Sequence, residues 1–485
     1  MSSIVLGGNG QSQVSFNLKM ANRHGLIAGA TGTGKTISLQ VLAEQFSLSG
    51  VPVFLVDAKG DLSGLACAGS EHPKITERLD YIGIESHNFT ANPAVFWDVF
   101  AEKGQAVRTT VSEIGPLLLS NLLELNETQT GVLYACFKIA DEAGLLLLDL
   151  DDLVSMLNHV GQNAKELKTR YGNISSASIG AIQRRLMVLD EQGFGQFLGE
   201  PALDIKDLMQ TDMSGRGFMN IFDVSHLINK SPKLYATVLL WLLSEVYESM
   251  PEAGDLDKPK FVMFFDEAHL LFEGVSKSLV DKIEQVVRLI RSKSVGVYFI
   301  SQSPLDIPED IAGQLGLKIQ HALRAFTPKD KKTIKAVAGS FRPNPNFETS
   351  EVITNLGLGE ALVSTLDENG SPTPVERTLM SPPLSQIGAA SAAEKASQMS
   401  RSPTKSKYET MVNRESAYEI LAKRATEAQE IELAEEQVKQ ASSKRSSGRS
   451  RQSVGESFLK SVSRAVGSQI GRQLIRGVLG SLFKR

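Results

Sequence analysis

An α/β fold, built on a mostly parallel sheet flanked by helices, is what this sequence predicts. Short apolar runs ending in acids or glycines alternate with helical patterns before residue 101 and again over 216–305. The first run leads into Gly29-Ala30-Thr31-Gly32-Thr33-Gly34-Lys35-Thr36, which meets every fixed position of the phosphate-loop pattern G-x-x-x-x-G-K-[ST]. Between the two α/β stretches, residues 102–215 change to helical character, and a helical tail follows the core.

Gly25-Leu26-Ile27-Ala28 is the strand feeding that loop. Behind the loop, Ile37, Leu39, Val41, Leu42 and Phe46 lie among Ser, Gln and Glu, as in a helix packed on a sheet. Val51–Val56 reads as a buried strand with Pro52 near its start, where a missing N–H is tolerated. It ends in Asp57-Ala58-Lys59-Gly60-Asp61, at the carboxyl edge of the sheet, where open α/β folds bind ligands. In the insertion, Asn126 and Gln129 make a capping box, Gly144 ends a helix, and helical patterns recur at 151–160 and 179–189. Strand character resumes at Gly217–Phe222, followed by an apolar helix over Leu234–Val246. Phe261–Phe265 is a buried strand ending in Asp266-Glu267, Ile283–Arg291 a helix, and Gly296–Ile300 a strand ending in Ser301-Gln302. Residues 360–366 and 373–379 read as a hairpin closed by Asp367–Ser371. The expected division is a core over 1–381 that includes the helical insertion at about 102–215. A polar, partly helical or disordered linker over 382–455 follows, containing a charged helix at Lys407–Gln440. A basic amphipathic helix takes 456–485.

The net charge of −4 conceals an asymmetry. Residues 442–485 carry ten Lys and Arg against one acid, Glu456, so the tail is +9 and the preceding chain −13. Such a body excludes whole-surface nucleic-acid binding and confines any such contact to a local patch. Two cysteines, Cys67 and Cys136, exclude a disulfide framework and a Cys-rich zinc site. The N-terminus shows no basic segment followed by an apolar core, and the longest apolar run, Val238–Leu243, is far too short to span a bilayer. The expected location is cytoplasmic.

The chemistry follows from the residue types. The loop glycines let backbone N–H groups turn inward onto phosphate oxygens, and the helix behind adds the positive end of its dipole. The expected nucleotide-binding set is therefore Gly29 through Thr36. Lys35 reaches the terminal phosphates as a point charge, and the Thr36 hydroxyl serves a magnesium ion. An apolar strand ending in two acids is the loop's usual complement: Asp266 for the metal shell and Glu267 to orient and deprotonate the attacking water. Gln302, ending another buried strand, is placed to sense the terminal phosphate. Asp57 and Lys59 are weaker candidates, since many strands of this kind end in Asp. His269 completes the letters D-E-A-H, but 231 residues separate Lys35 from Asp266, and the second lobe of a two-lobed helicase is missing. His269 reads instead as a structural or phosphate-coupling residue.

Six segments together resemble the HerA/FtsK-type P-loop ATPases, and most closely the bacterial HerA-like C-terminal-domain (YjgR-like) group. They are NRHGLIAGATGTGKT at 22–36, FLVDAKGDLSG at 54–64, FFDEAHLLF at 264–272, RLIRSKSVGVYFISQSP at 288–304, QHALRAFTPKD at 320–330 and GRQLIRGVLGSL at 471–482. The resemblance covers almost the whole chain. It implies a RecA-like ATPase using ATP and Mg2+, assembled as a homo-oligomeric, often hexameric ring with nucleotide at subunit interfaces. It also implies double-stranded DNA translocation, helicase-like in kind, in some cases with a nuclease partner. Such rings insert an arginine from the neighbouring subunit, and Arg291 is the first candidate, with Arg288 and Arg324 behind it. About two dozen residues precede the loop, with no room for the β-barrel of archaeal relatives and no N-terminal membrane helices. An alternative therefore stands: a nucleotide-gated, membrane-associated or regulatory assembly protein without DNA motor activity. Its motive is the tail, where Phe458, Val462, Val466, Ile470, Leu474, Val478 and Leu482 recur every four residues with Arg464, Arg472 and Arg476 between them. That helix would dock on its own or a neighbouring subunit, lie on an anionic membrane surface, or contact nucleic acid.

Overall fold

The computed structural model describes residues 3–273 and 275–443, so the amphipathic tail expected at 456–485 lies outside the described residues. The chain forms two compact units. The first holds the residues up to Thr109, Glu191–Phe197 and Pro201–Met411; the second holds Thr110–Asp190, Leu198–Glu200 and the residues from Val412.

The first unit is organised by a 12-stranded sheet. Its strands in chain order are β1 (Ser3–Gly8), β2 (Gln13–Asn17), β3 (Gly25–Ala28), β4 (Val53–Asp57), β5 (Ala94–Asp98) and β6 (Gln105–Ala106). There follow β7 (Met219–Asp223), β8 (Phe261–Phe265), β9 (Val295–Ser301), β10 (Leu317–His321), β11 (Glu360–Ser364) and β12 (Glu376–Met380). The spatial order is β2-β1-β12-β11-β10-β3-β9-β8-β4-β7-β5-β6. From β10 to β6 all neighbours are parallel. From β10 to β2 they are antiparallel, and β11 with β12 is the hairpin read from the sequence.

The central strands are apolar along most of their length, as expected where helices cover both faces of a parallel sheet. β3, β4, β8 and β9 are buried at every residue. Leu39, Leu42 and Phe46, from the helix Lys35–Leu48, join Leu55, Phe264, Tyr298 and Ile300 in one core. Phe264 and Tyr298 stack at 4.9 Å between centroids. Gly25 is required beside them, since a Cβ there would lie 2.6 Å from the Tyr298 ring. β4 starts at Val53, later than the apolar run suggests, because Pro52 has no N–H to give the ladder. Residues 384 and 385, in the stretch expected to be linker, are held on the Lys35–Leu48 helix. Buried Glu44 accepts hydrogen bonds from Leu384 N at 2.8 Å and Ser385 N at 2.7 Å.

The second unit is helical. Val111–Leu122, Glu127–Glu142 and Leu150–Gln162 each begin with a capping box, at Thr110/Glu113, Asn126/Gln129 and Asp149/Asp152. Leu153, Met156, Leu157 and Val160 are buried, and the Leu150–Gln162 helix packs against the helix Ala417–Ser443. The latter starts ten residues later than the charge pattern suggests. Its start is fixed by Ser416, whose backbone N–H and hydroxyl both reach the Glu419 carboxylate, at 2.9 and 2.7 Å. Among the described residues no helix is long and apolar enough to cross a membrane.

Ahead of β3, His24 ties two elements together. Nδ1 accepts from Val297 N at 3.0 Å, so Nε2 carries the proton and donates to Val287 O at 3.0 Å. Burial, aided by the charge of Arg291, pushes its pKa down to about 4 from 6.5. The folded imidazole thus stays neutral where the unfolded one takes a proton. Its contribution to stability is complete above pH 6.5 and is lost as pH falls toward 4, on the order of 3 kcal/mol in all. In urea unfolding, the stability of the protein relative to His24→Asn, which does not titrate, should fall as pH goes from 7.5 to 4.5.

Candidate functional site

The loop after β3 is fastened from below. Gly29 N donates to Ser301 O at 3.3 Å and Ala30 N to Ala322 O at 2.9 Å, which ties it to the ends of β9 and β10. Thr33 Oγ1 donates to Ala30 O at 2.7 Å, and Gly359 N to Thr33 O at 3.0 Å. Gly34 has φ 113° and starts the Lys35–Leu48 helix with no side-chain cap, so the first helical N–H groups face outward for an anion. A Cβ on Gly29 would sit 2.5 Å from the Cβ of His321. His321 itself is buried: Nδ1 donates to Glu360 O at 2.9 Å, and Nε2 accepts from the Ser38 hydroxyl at 2.8 Å. Burial lowers its pKa to about 4, so it supports the loop as a neutral ring. Lys35 is 9% exposed, and its Nζ donates to Gly29 O at 2.6 Å and Ala30 O at 3.0 Å. Burial holds its pKa below the ordinary value, against the pull of Glu267.

Asp266 and Glu267 follow β8 directly, at the same carboxyl edge, and both are buried. Asp266 Oδ2 has no hydrogen-bond partner among the described residues. Burial, then the neighbouring Glu267 charge, pushes this carboxyl up to about 7. An orphaned buried carboxylate oxygen near an ammonium-bearing phosphate loop fits a divalent cation, which would hold it ionised. With the Thr36 hydroxyl it offers the hard oxygen donors that magnesium takes. Glu267 differs. Burial acts to raise its pKa, but the Lys59 hydrogen bond and charge, with His269 and Lys35, outweigh this and hold the carboxyl below its ordinary value. Lys59 Nζ forms an ion pair with Glu267 Oε1, and His269 Nδ1 stands 3.4 Å from Oε2.

β9 lies between β3 and β8, so Gln302 at its end stands between the loop and the acids. It is exposed, and with Ala30, Thr31, His269 and Arg324 it lines a cavity of about 800 Å³. From the other end of the loop, Gly34 and Ile37 line a second cavity of about 650 Å³ with Arg78, Phe89 and Pro383. Arg291 and Arg288 are elsewhere. They precede β9 and so lie at the opposite edge of the sheet, where Arg291 stands 3.7 Å from Asp255. The fold therefore brings Lys35, Asp266, Glu267, Gln302 and Arg324 to one edge and leaves Arg288 and Arg291 at the other. Lys59 gains importance over its reading as one more residue after a strand, because β4 lies beside β8. His321 was visible only as part of a family segment.

The family model described as helicase HerA-like C-terminal matches residues 3–485. Among solved structures, the plasmid coupling protein TrwB in complex with the non-hydrolysable GTP analogue GDPNP is similar with a TM-score of 0.50. It is 14% identical, over 80% of this chain and 92% of that one. VirB4 of Thermoanaerobacter pseudethanolicus gives a TM-score of 0.49 at 16% identity, over 81% and 98% of the two chains. TrwB in complex with ADP and Mg2+ gives 0.46 at 14% identity, over 76% and 89%. No curated protein sequence matches the chain. At these identities the solved structures speak to the fold alone, a mixed α/β architecture of the RecA-like P-loop type.

The close approach at Gly29 predicts that Gly29→Ala destabilises the protein by roughly 1–3 kcal/mol, through displacement of His321 and the loop. Thermal unfolding of the two proteins measures it; an unchanged midpoint would contradict the packing described.

Proposed function

The chain belongs to the helicase HerA-like C-terminal family, and from that premise we propose that it is an Mg2+-dependent ATPase working as a homo-oligomeric ring on double-stranded DNA. The observation that carries this reading is the meeting, on one sheet edge, of the Lys35 loop, the Asp266-Glu267 pair and Gln302 between them. In this reading the loop N–H groups hold the phosphates and Lys35 leaves its two carbonyls for the terminal phosphates. Thr36 and Asp266 would hold Mg2+, which when bound offsets phosphate charge. Glu267 takes a proton from water as the water oxygen bonds to the γ-phosphorus and the bond to the bridging oxygen breaks, releasing ADP. Gln302 contacts the terminal phosphate, and the nucleoside lies toward Ile37 and Phe89.

The ring is supported by position. Arg291, at the opposite sheet edge, can reach a nucleotide only from a neighbouring subunit, whereas Arg324 already borders the cavity of its own chain. DNA as substrate is supported by family membership, with contact confined to a local patch on an acidic body. ATPase rates with and without duplex DNA at low salt test this half of the reading. Absence of stimulation would favour a nucleotide-gated assembly instead, and sizing with a non-hydrolysable analogue tests the ring.

Two substitutions test the chemistry. Glu267→Gln should lower kcat by roughly 10²- to 10⁴-fold while leaving ATP binding intact. Lys35→Ala should weaken binding of an ATP analogue, and turnover by roughly 100-fold or more. Full hydrolysis in Glu267→Gln would remove Glu267 from its role.

A further inference from the structure

We propose that Lys59 is a positioning residue for hydrolysis: reaching from the end of β4 to the end of β8, it fixes the Glu267 carboxylate in the orientation from which it takes a proton from water. The inference rests on the reading of Glu267 as the base and adds a residue to that reaction.

Glu267 is readily misplaced. Its backbone has φ 47°, the left-handed conformation, so the chain turns sharply as it leaves β8. Its side chain is buried, and Oε2 has no hydrogen-bond partner among the described residues. Asp266, next to it, carries another unpartnered carboxylate oxygen. Two adjacent buried carboxylates disfavour each other's charge. The contact that holds Glu267 is the ion pair between its Oε1 and Lys59 Nζ; His269 stands off at 3.4 Å on the other oxygen.

Lys59 can act as a fixed arm because its root is held. Asp57, 1% exposed at the end of β4, accepts from Lys59 N at 3.3 Å, from Gly60 N at 2.7 Å and from Leu62 N at 3.0 Å. The chain Asp57–Lys59–Glu267 thus joins two neighbouring strand ends through one backbone cap and one charge-assisted bond. Lys35 already serves the phosphates from the loop, so a second ammonium, placed on the carboxylate, has a separate task. Orientation is worth much at such a position, since a displacement of about 1 Å can cost about 100-fold in rate.

The test uses the full chain and Lys59→Met, which keeps length and removes charge. The expected result is a kcat lower by about 10- to 100-fold, with KM and the Kd for a non-hydrolysable ATP analogue within about two-fold of the unsubstituted protein. Lys59→Arg should recover most of the loss, and Lys59→Met should cost nothing further in a Glu267→Gln background. An unchanged kcat overturns the proposal. So does a raised KM and Kd at constant kcat, which would place Lys59 on the nucleotide. If the unsubstituted protein hydrolyses no ATP, the proposed function fails, and crystal structures decide the positioning role separately. Glu267 keeping its orientation in Lys59→Met would overturn it without reference to turnover.

Discussion

Parallel pairing of β3 with β9 and β10, and of β8 with β9 and β4, is the constraint under which the site exists. Parallel strands buried on both faces must all enter from one side and leave from the other. Every segment that leaves therefore emerges on a common rim, and residues far apart in sequence become neighbours there. The loop, the acids, Gln302 and Lys59 share that rim, whereas Arg288 and Arg291, which precede a strand, are excluded from it. The aromatic packing of Phe46, Phe264 and Tyr298 keeps β8, β9 and the loop's helix in register with one another. A change in that core would be felt at the rim, since packed interiors transmit small displacements.

Burial acts similarly on two of the rim's carboxyls but leads to different ends. Asp57 is pushed up to about 6 and Asp266 to about 7, in both cases mainly by loss of water. Asp57 is compensated by three backbone N–H groups and so serves the architecture of the turn. Asp266 keeps an oxygen without a partner. A protein interior tolerates such an atom where another charge completes it, and this sets Asp266 apart from Asp57 although both stand at strand ends.

The parts of the site read from the sequence were those whose signal is local. Gly29 through Thr36 is a contiguous pattern with strand before and helix after, and Asp266-Glu267 closes an unmistakable apolar run. Cap chemistry placed the helix at Glu127 for the same reason. What was not legible depends on strand order, which no run of residues encodes. Lys59 meets Glu267 across two strand ends, and His321 meets Ser38 across 283 positions. The antiparallel extension through β1 and β2 was equally hidden. Its β1 strand ends in Gly7-Gly8 and pairs with β12 near the far end of the core.

The composition of the second unit has a consequence for the order in which the protein can be made. Tyr418 N donates to Asp152 Oδ1 at 2.8 Å, a bond between residues 266 positions apart, and Arg414 pairs with Glu200. The insertion's helices must therefore leave the ribosome long before the helix that completes their packing exists. At about 5–20 residues per second that interval is roughly 15 to 50 s. During it, the Leu150–Gln162 helix awaits a partner still being translated. The capping boxes that start the early helices need no distant residue, and they are the means by which these segments hold local structure until the C-terminal helix arrives.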